Sequence, residues 1–137
     1  MFYNTVIYIR CREDDSILAQ KSYGPIAFSH YNMTRNSSEI IIVTAFNGGL
    51  CADIHEARLE FLKKINPNAK ITTLGTSSTV YQDFRILAFA PTLFTDLSTF
   101  GLAAGLIGNG TVHSPPLFDS HITFNTPDWV WSTAPLF

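Results

Sequence analysis

Charge is scarce in this chain. Asp, Glu, Lys and Arg make up 15% of 137 residues, and the formal net charge is −2. That balance excludes the broad basic footprint that binding to a phosphate backbone requires, so nucleic acid is not an expected partner. Lys/Arg-rich runs are missing too, which removes an anionic membrane surface as an electrostatic partner. No apolar run reaches the roughly 20 residues of a bilayer-spanning helix, so no transmembrane segment is expected. Cysteine is nearly absent. Cys11 and Cys51 have no metal-ligand spacing. Each adjoins an apolar run and reads as a buried free thiol, with a disulfide left open. The start, MFYNTVIYIRCRE, lacks a basic n-region and a long apolar h-region; it reads as a strand rather than a signal peptide.

Several chemical signatures are also missing. There is no GxGxxG or Walker-type glycine loop. His55-Glu56 opens like HExxH, but Leu59 holds the second histidine position, so a zinc site is not expected. Asp119, Ser120 and His121 are chain neighbours, whereas a catalytic triad is assembled in space. Asp14-Asp15 reads as a solvated loop, since paired carboxylates need a cleft between them. His30 and His113 read as surface or satisfied core residues. Three sequons, at Asn32, Asn36 and Asn109, matter only in a secretory compartment.

What is present is apolar: 46% of the residues, enough for a substantial single core. Thr5 to Arg10 (TVIYIR), Glu39 to Thr44 (EIIIVT) and Lys70 to Leu74 (KITTL) are β-branched runs that predict strands. Pro25 to Arg35 predicts a short helix. Ala52 to Ile65 predicts an amphipathic one, with Ile54, Ala57, Phe61, Leu62 and Ile65 on one face. Gly75 to Thr79 is a small-residue turn, and Val80 to Ala90 predicts a helix stopped by Pro91. Strands alternating with helices imply a mainly parallel sheet in three layers, an α/β domain spanning 1–137. An α/β core is expected over 1–116, followed by an irregular aromatic tail over 117–137 anchored by Trp129 and Trp131.

The stretch Thr92 to Pro116 (TLFTDLSTFGLAAGLIGNGTVHSPP) reads strand, hydroxyl-bearing turn, helix, turn, strand. The first N–H groups of such a helix lack intrahelical partners and suit a phosphate. Ser98 and Thr99 add hydroxyls beside them. The plainer alternative is that Ser98 only caps a buried helix.

Four segments carry a family resemblance. TVIYIRCRED resembles the pattern V-I-H-I-R-C-G-D. SYGPIAFSHY resembles Y-G-F-L-P-Y-S-x-Y. LCADIHEARLEFLKKINPNAKI resembles the helix-and-strand unit that follows the second strand. DFRILAFAPTLFTDLSTFGLAAGLIGNG resembles D-F-x-x-L-x-x-A-P-x-x-x-x-S-T-F-G-x-W-A-A. Together they resemble the donor-binding half of the fucosyltransferase-like glycosyltransferases. The resemblance implies a Rossmann-like lobe of a GT-B-type enzyme that binds a nucleoside-diphosphate sugar of the GDP-fucose type. The sugar would pass to a hydroxyl or glycan acceptor, with no metal and no cofactor beyond the donor.

The same resemblance places Arg10 on the donor diphosphate, where a guanidinium fork suits phosphate oxygens. Its alternative is a surface ion pair. Ser98, Thr99 and Phe100 would join Arg10, with Asp83 and Phe84 beside the nucleoside. Glu13, or else Asp14, is the expected general base. Two positions depart from the first motif: Tyr8 stands for its histidine and Arg12-Glu13 for its Gly-Asp. They favour the alternative class, a non-catalytic lobe or interaction module of the same fold. The compartment reads as cytoplasmic, or as the secretory lumen if the chain belongs to a longer transferase.

Overall fold

The computed structural model describes residues 4–10, 28–45, 49–75, 79–96, 99–114 and 129–131. Cys11, Arg12, Glu13, Asp14, Asp15, Pro25, Ser98 and Asp119 to His121 lie outside the described residues, as does the side chain of Cys51.

Six strands form one sheet. They are β1 (Asn4–Arg10), β2 (Glu39–Ala45), β3 (Lys70–Leu74), β4 (Thr92–Phe94), β5 (Thr111–Ser114) and β6 (Trp129–Trp131). Their order across the sheet is β3-β2-β1-β4-β5-β6, and all five pairings are parallel. The chain is a Rossmann-like α/β domain. Strand β6 corrects the irregular-tail expectation: Trp129–Trp131 pairs with Val112, His113 and Ser114. Two tryptophans around a valine suit a pleated surface, but three residues are too few to show a period of two.

Helix α1 (Gly49–Ile65) follows β2, α2 (Val80–Ala88) follows β3, and α3 (Thr99–Ile107) follows β4. A nine-residue 3-10 helix (Phe28–Asn36) precedes β2, where an ordinary short helix was expected over Pro25 to Arg35. Helix α2 starts at a capping box. Thr79 accepts from the Gln82 N–H at 3.1 Å, and the Gln82 side chain accepts from the Thr79 N–H at 2.9 Å. It ends at Ala88, two residues short of the expected Ala90, with Phe89 as C-cap. Among the described residues no helix is long and apolar enough to cross a membrane.

Strand alternation sorts the core into two layers. Val6, Val43, Leu93 and Val112 face α2 and α3, packing on Leu87, Leu102 and Ala104. Ile7, Ile9, Ile40, Ile42 and Phe94 face the other way, onto Tyr31 of the 3-10 helix and Leu62 of α1. Asn66, just after α1, ties that layer down: its side-chain amide donates to Thr34 Oγ1 at 3.0 Å and to the Leu62 carbonyl at 3.2 Å.

The buried stripe of α1 differs from expectation. Arg58 and Leu62 are buried, Phe61 and Ile65 are half-buried, and Ala57 is exposed. The helix also begins three residues earlier than Ala52.

Candidate functional site

In a parallel α/β sheet, ligands sit beyond the carboxyl ends of the strands, where the order reverses. Here the order reverses at β1, between β2 on one side and β4 on the other. Register places the residues of that edge. Ile7 lies opposite Ile42 and Phe94, and Phe94 lies opposite His113. This row is apolar until it reaches the histidine. One step nearer the carboxyl edge, Ile9 pairs with Thr44, and Asp96 follows Phe94 by two residues. Thr44, Thr95, Asp96, His113 and Ser114 are all buried. Polarity thus replaces hydrocarbon at the end of the sheet where a ligand is expected.

The expected site residues fall as follows. Arg10 is the last residue of β1, paired with Ala45. Thr99 opens α3 and is exposed. Asp83 and Phe84 lie near the start of α2, and both are half-buried. The Phe100 ring lies 5.5 Å from Tyr8 and 5.5 Å from Phe84, so the three rings link β1, α2 and α3 on the α2–α3 side. Glu13 and Ser98 lie outside the described residues.

Gly101 sets the approach of α3 to the sheet. A Cβ there would lie 2.0 Å from Thr95 Oγ1 and 2.9 Å from Tyr8 Cδ2. Only a hydrogen fits between the first turn of α3 and the end of β4.

On the opposite face lies a polar cluster that the sequence reading did not assemble. Arg58, Tyr31, His30, Asp96 and His113 come from α1, the 3-10 helix and the ends of β4 and β5, and all are buried. Tyr31 accepts a hydrogen bond from Arg58, and burial pushes its hydroxyl pKa up to about 12. The His113 ring stacks on Phe94 at 4.2 Å and 3°. Burial lowers its pKa. His30 meets Tyr31 at 5.1 Å and Phe94 at 5.7 Å, both edge to face. Burial brings its pKa down to about 4, with Arg58 and His113 acting the same way and the main chain of Thr95 opposing. Among the described residues neither nitrogen of His30 has a well-aligned hydrogen-bond partner, although the main chain of Thr95 lies near, and its burial overturns the reading of this residue as a surface histidine. A signal for the cluster did exist. Arg58 lies four residues after Ile54 and four before Leu62, a charge on the apolar stripe of α1. Among the described residues no group of three or more His, Cys, Asp or Glu could hold a metal ion.

Two surface clefts lie away from the end of β1, the second of them at the carboxyl end of β3. One, about 500 Å³, is walled by Ala88 to Pro91 and Ile107 to Thr111, where the turns into β4 and β5 pack together. The other, about 530 Å³, lies between Leu74 and the Gln82, Arg85, Ile86 and Phe89 positions.

Comparison with protein-family models, curated proteins and solved structures finds no match to this chain. Its functional reading therefore rests on the fold and the carboxyl edge.

Proposed function

We propose that this domain binds a nucleoside-diphosphate sugar at the carboxyl ends of β1 and β4 and serves as the donor lobe of a glycosyltransferase. The observation that carries the reading is the reversal of strand order at β1. It makes β1 and β4 neighbours, so that their carboxyl ends lie at the same edge of the sheet, and α3 follows β4 from Thr99. Arg10 is the cation for the diphosphate. The first N–H groups of α3, with Thr99 and Ser98, complete its cradle. Charge building on the leaving diphosphate is stabilised by the same groups. Asp83 and Phe84, near the start of α2, and Phe100 on α3 border the nucleoside. The GDP-fucose class comes from the motif resemblance alone.

Titration of the full chain with GDP, UDP, GDP-fucose and UDP-sugars by calorimetry tests the reading. Saturable 1:1 binding of one nucleoside class, tighter for the diphosphate than for the monophosphate, is expected. Failure of the whole panel leaves the non-catalytic module as the better reading. One observation favours that second reading: Tyr8, at the position of the motif's histidine, is packed against Phe100.

A further inference from the structure

Residues 108–110 join α3 to β5 in a bend that belongs to neither element. They read Gly-Asn-Gly, and Asn109 is exposed on the wall of the cleft of about 500 Å³. Hydrogen bonds hold the two ends of the bend. The Gly108 N–H donates to the Ala104 carbonyl at 2.9 Å, and the Thr111 N–H donates to the Pro91 carbonyl at 3.0 Å. Between them, the Gly110 N–H has no hydrogen-bond partner among the described residues. Position 110 also has no side chain to shield that nitrogen. An exposed side-chain amide therefore stands next to an unpaired, unshielded main-chain N–H, and these two groups can close a ring.

The other described asparagines each lack part of this arrangement. Asn66 is buried and precedes Pro67, which has no N–H. Asn68 is exposed, but the Ala69 N–H that follows it donates to the Asn66 carbonyl at 3.2 Å. Asn32 is exposed within the 3-10 helix and is followed by the larger side chain of Met33. A second Asn-Gly pair, Asn47-Gly48, lies outside the described residues.

We propose that Asn109 is a site of spontaneous deamidation, converting to aspartate and isoaspartate in the folded chain. The inference is independent of the donor-binding reading. The Gly110 nitrogen gives up its proton and bonds to Cγ of Asn109. The bond from Cγ to the side-chain nitrogen breaks, and that nitrogen leaves with the proton as ammonia. Water then opens the cyclic imide at either carbonyl. Opening at Cγ gives aspartate; opening at the main-chain carbonyl gives isoaspartate, with the chain now running through Cγ. The consequence falls on β5. Gly110 is fitted against the turn into β4, where even a Cβ would lie 2.1 Å from the Ala90 carbonyl oxygen and 2.7 Å from that of Pro91. The methylene that isoaspartate inserts into the main chain moves Gly110 off this seat and loosens the Thr111 bond that opens β5. Aspartate alters only an exposed side chain.

Incubating the folded full chain in mildly alkaline buffer, followed by tryptic peptide mapping, tests the site. Cleavage places Asn109 in the peptide 86–137, apart from Asn32, Asn47 and Asn68, and fragmentation separates it from Asn125. Aspartate and isoaspartate should accumulate at position 109 at least about tenfold faster than at Asn32 or Asn68, because glycine leaves the attacking nitrogen unshielded. Equal rates at these positions overturn the site. Modification seen only after unfolding in urea also overturns it, since the native bend would then hold the Gly110 nitrogen away from Cγ. Urea titration reads the effect on β5. The isoaspartyl chain should unfold at lower urea than the Asn109→Asp variant, which should keep the native midpoint. Equal midpoints for the two overturn the effect on β5.

Discussion

At Gly101 the first turn of α3 meets the sheet with no room for a side chain. Alanine has the better helix propensity, by about 0.5–1 kcal/mol, whereas forcing a methyl into a filled space costs about 1–3 kcal/mol. A Cβ 2.0 Å from Thr95 Oγ1 cannot be accommodated by small shifts, so overpacking wins. Gly101→Ala should lower unfolding free energy by about 1 kcal/mol in urea titrations, and Thr95→Ala in the same chain should recover part of the loss. An unchanged midpoint would mean that α3 does not sit this close. His30 governs a second response, to acid. Its pKa is about 4 in the folded chain against 6.5 when unperturbed. Between those values the unfolded chain binds more protons, so this stability is fully present above about pH 6.5 and is lost as pH falls toward 4. The loss amounts to about 3 kcal/mol. His55 and His113, also lowered by burial, act in the same direction. Urea titrations at pH 7, 5.5 and 4 should show the decline, with a shallower slope in His30→Gln. An equal slope in the two chains would assign the acid response to other groups.

Among the elements, α1 tests the packing most directly. Its sequence announces a helix through apolar spacing and two lysines near the end, and the structure confirms the element. Its rotation about its own axis was not legible, because Ala57 and Phe61 are as apolar as the residues that are buried. What settles the rotation is Arg58. The guanidinium reaches Tyr31, and Leu62, one turn later on the same face, is fully buried. Leu62→Ala should therefore cost about 2–5 kcal/mol. Phe61 is half-buried and keeps part of its ring in water before and after folding, so Phe61→Ala should cost less, about 1–2 kcal/mol. Chemical denaturation of the two variants gives the order, and a larger loss for Phe61→Ala would return the helix to the rotation expected from its sequence. The strands were easier to read. Thr5 to Arg10, Glu39 to Thr44 and Lys70 to Leu74 are runs in which β-branched side chains repeat, and the structure differs from them only by Asn4 and Ala45 at the ends. Strand β6 and the 3-10 form of Phe28–Asn36 were not legible, since three residues show no period and a 3-10 turn shares its residues with an α-turn.

For the molecule as a whole, the β3-β2-β1-β4-β5-β6 order makes β1 the point of reversal, and the proposed donor site depends on it. A charge-assisted hydrogen bond contributes about 1.5–3 kcal/mol. Arg10→Ala should thus weaken a bound nucleoside diphosphate roughly 10- to 100-fold, measured by calorimetry against the native chain. Unchanged affinity would remove Arg10 from the diphosphate and make it a surface charge. The sequence by itself determined the alternation of strands and helices, the parallel character of the sheet, and the strand, turn, helix, turn, strand order from β4 to β5. Each is carried by local periodicity or by hydroxyl and apolar residues a few positions apart. Only the tertiary structure decided which strands are neighbours, how α1 is rotated, and that His30, Arg58, Asp96 and His113 share one buried space. These four lie up to 83 positions apart, from His30 to His113. The protonation and hydrogen bonding of a buried group depend on what surrounds it in space, and no local pattern of residues encodes those surroundings.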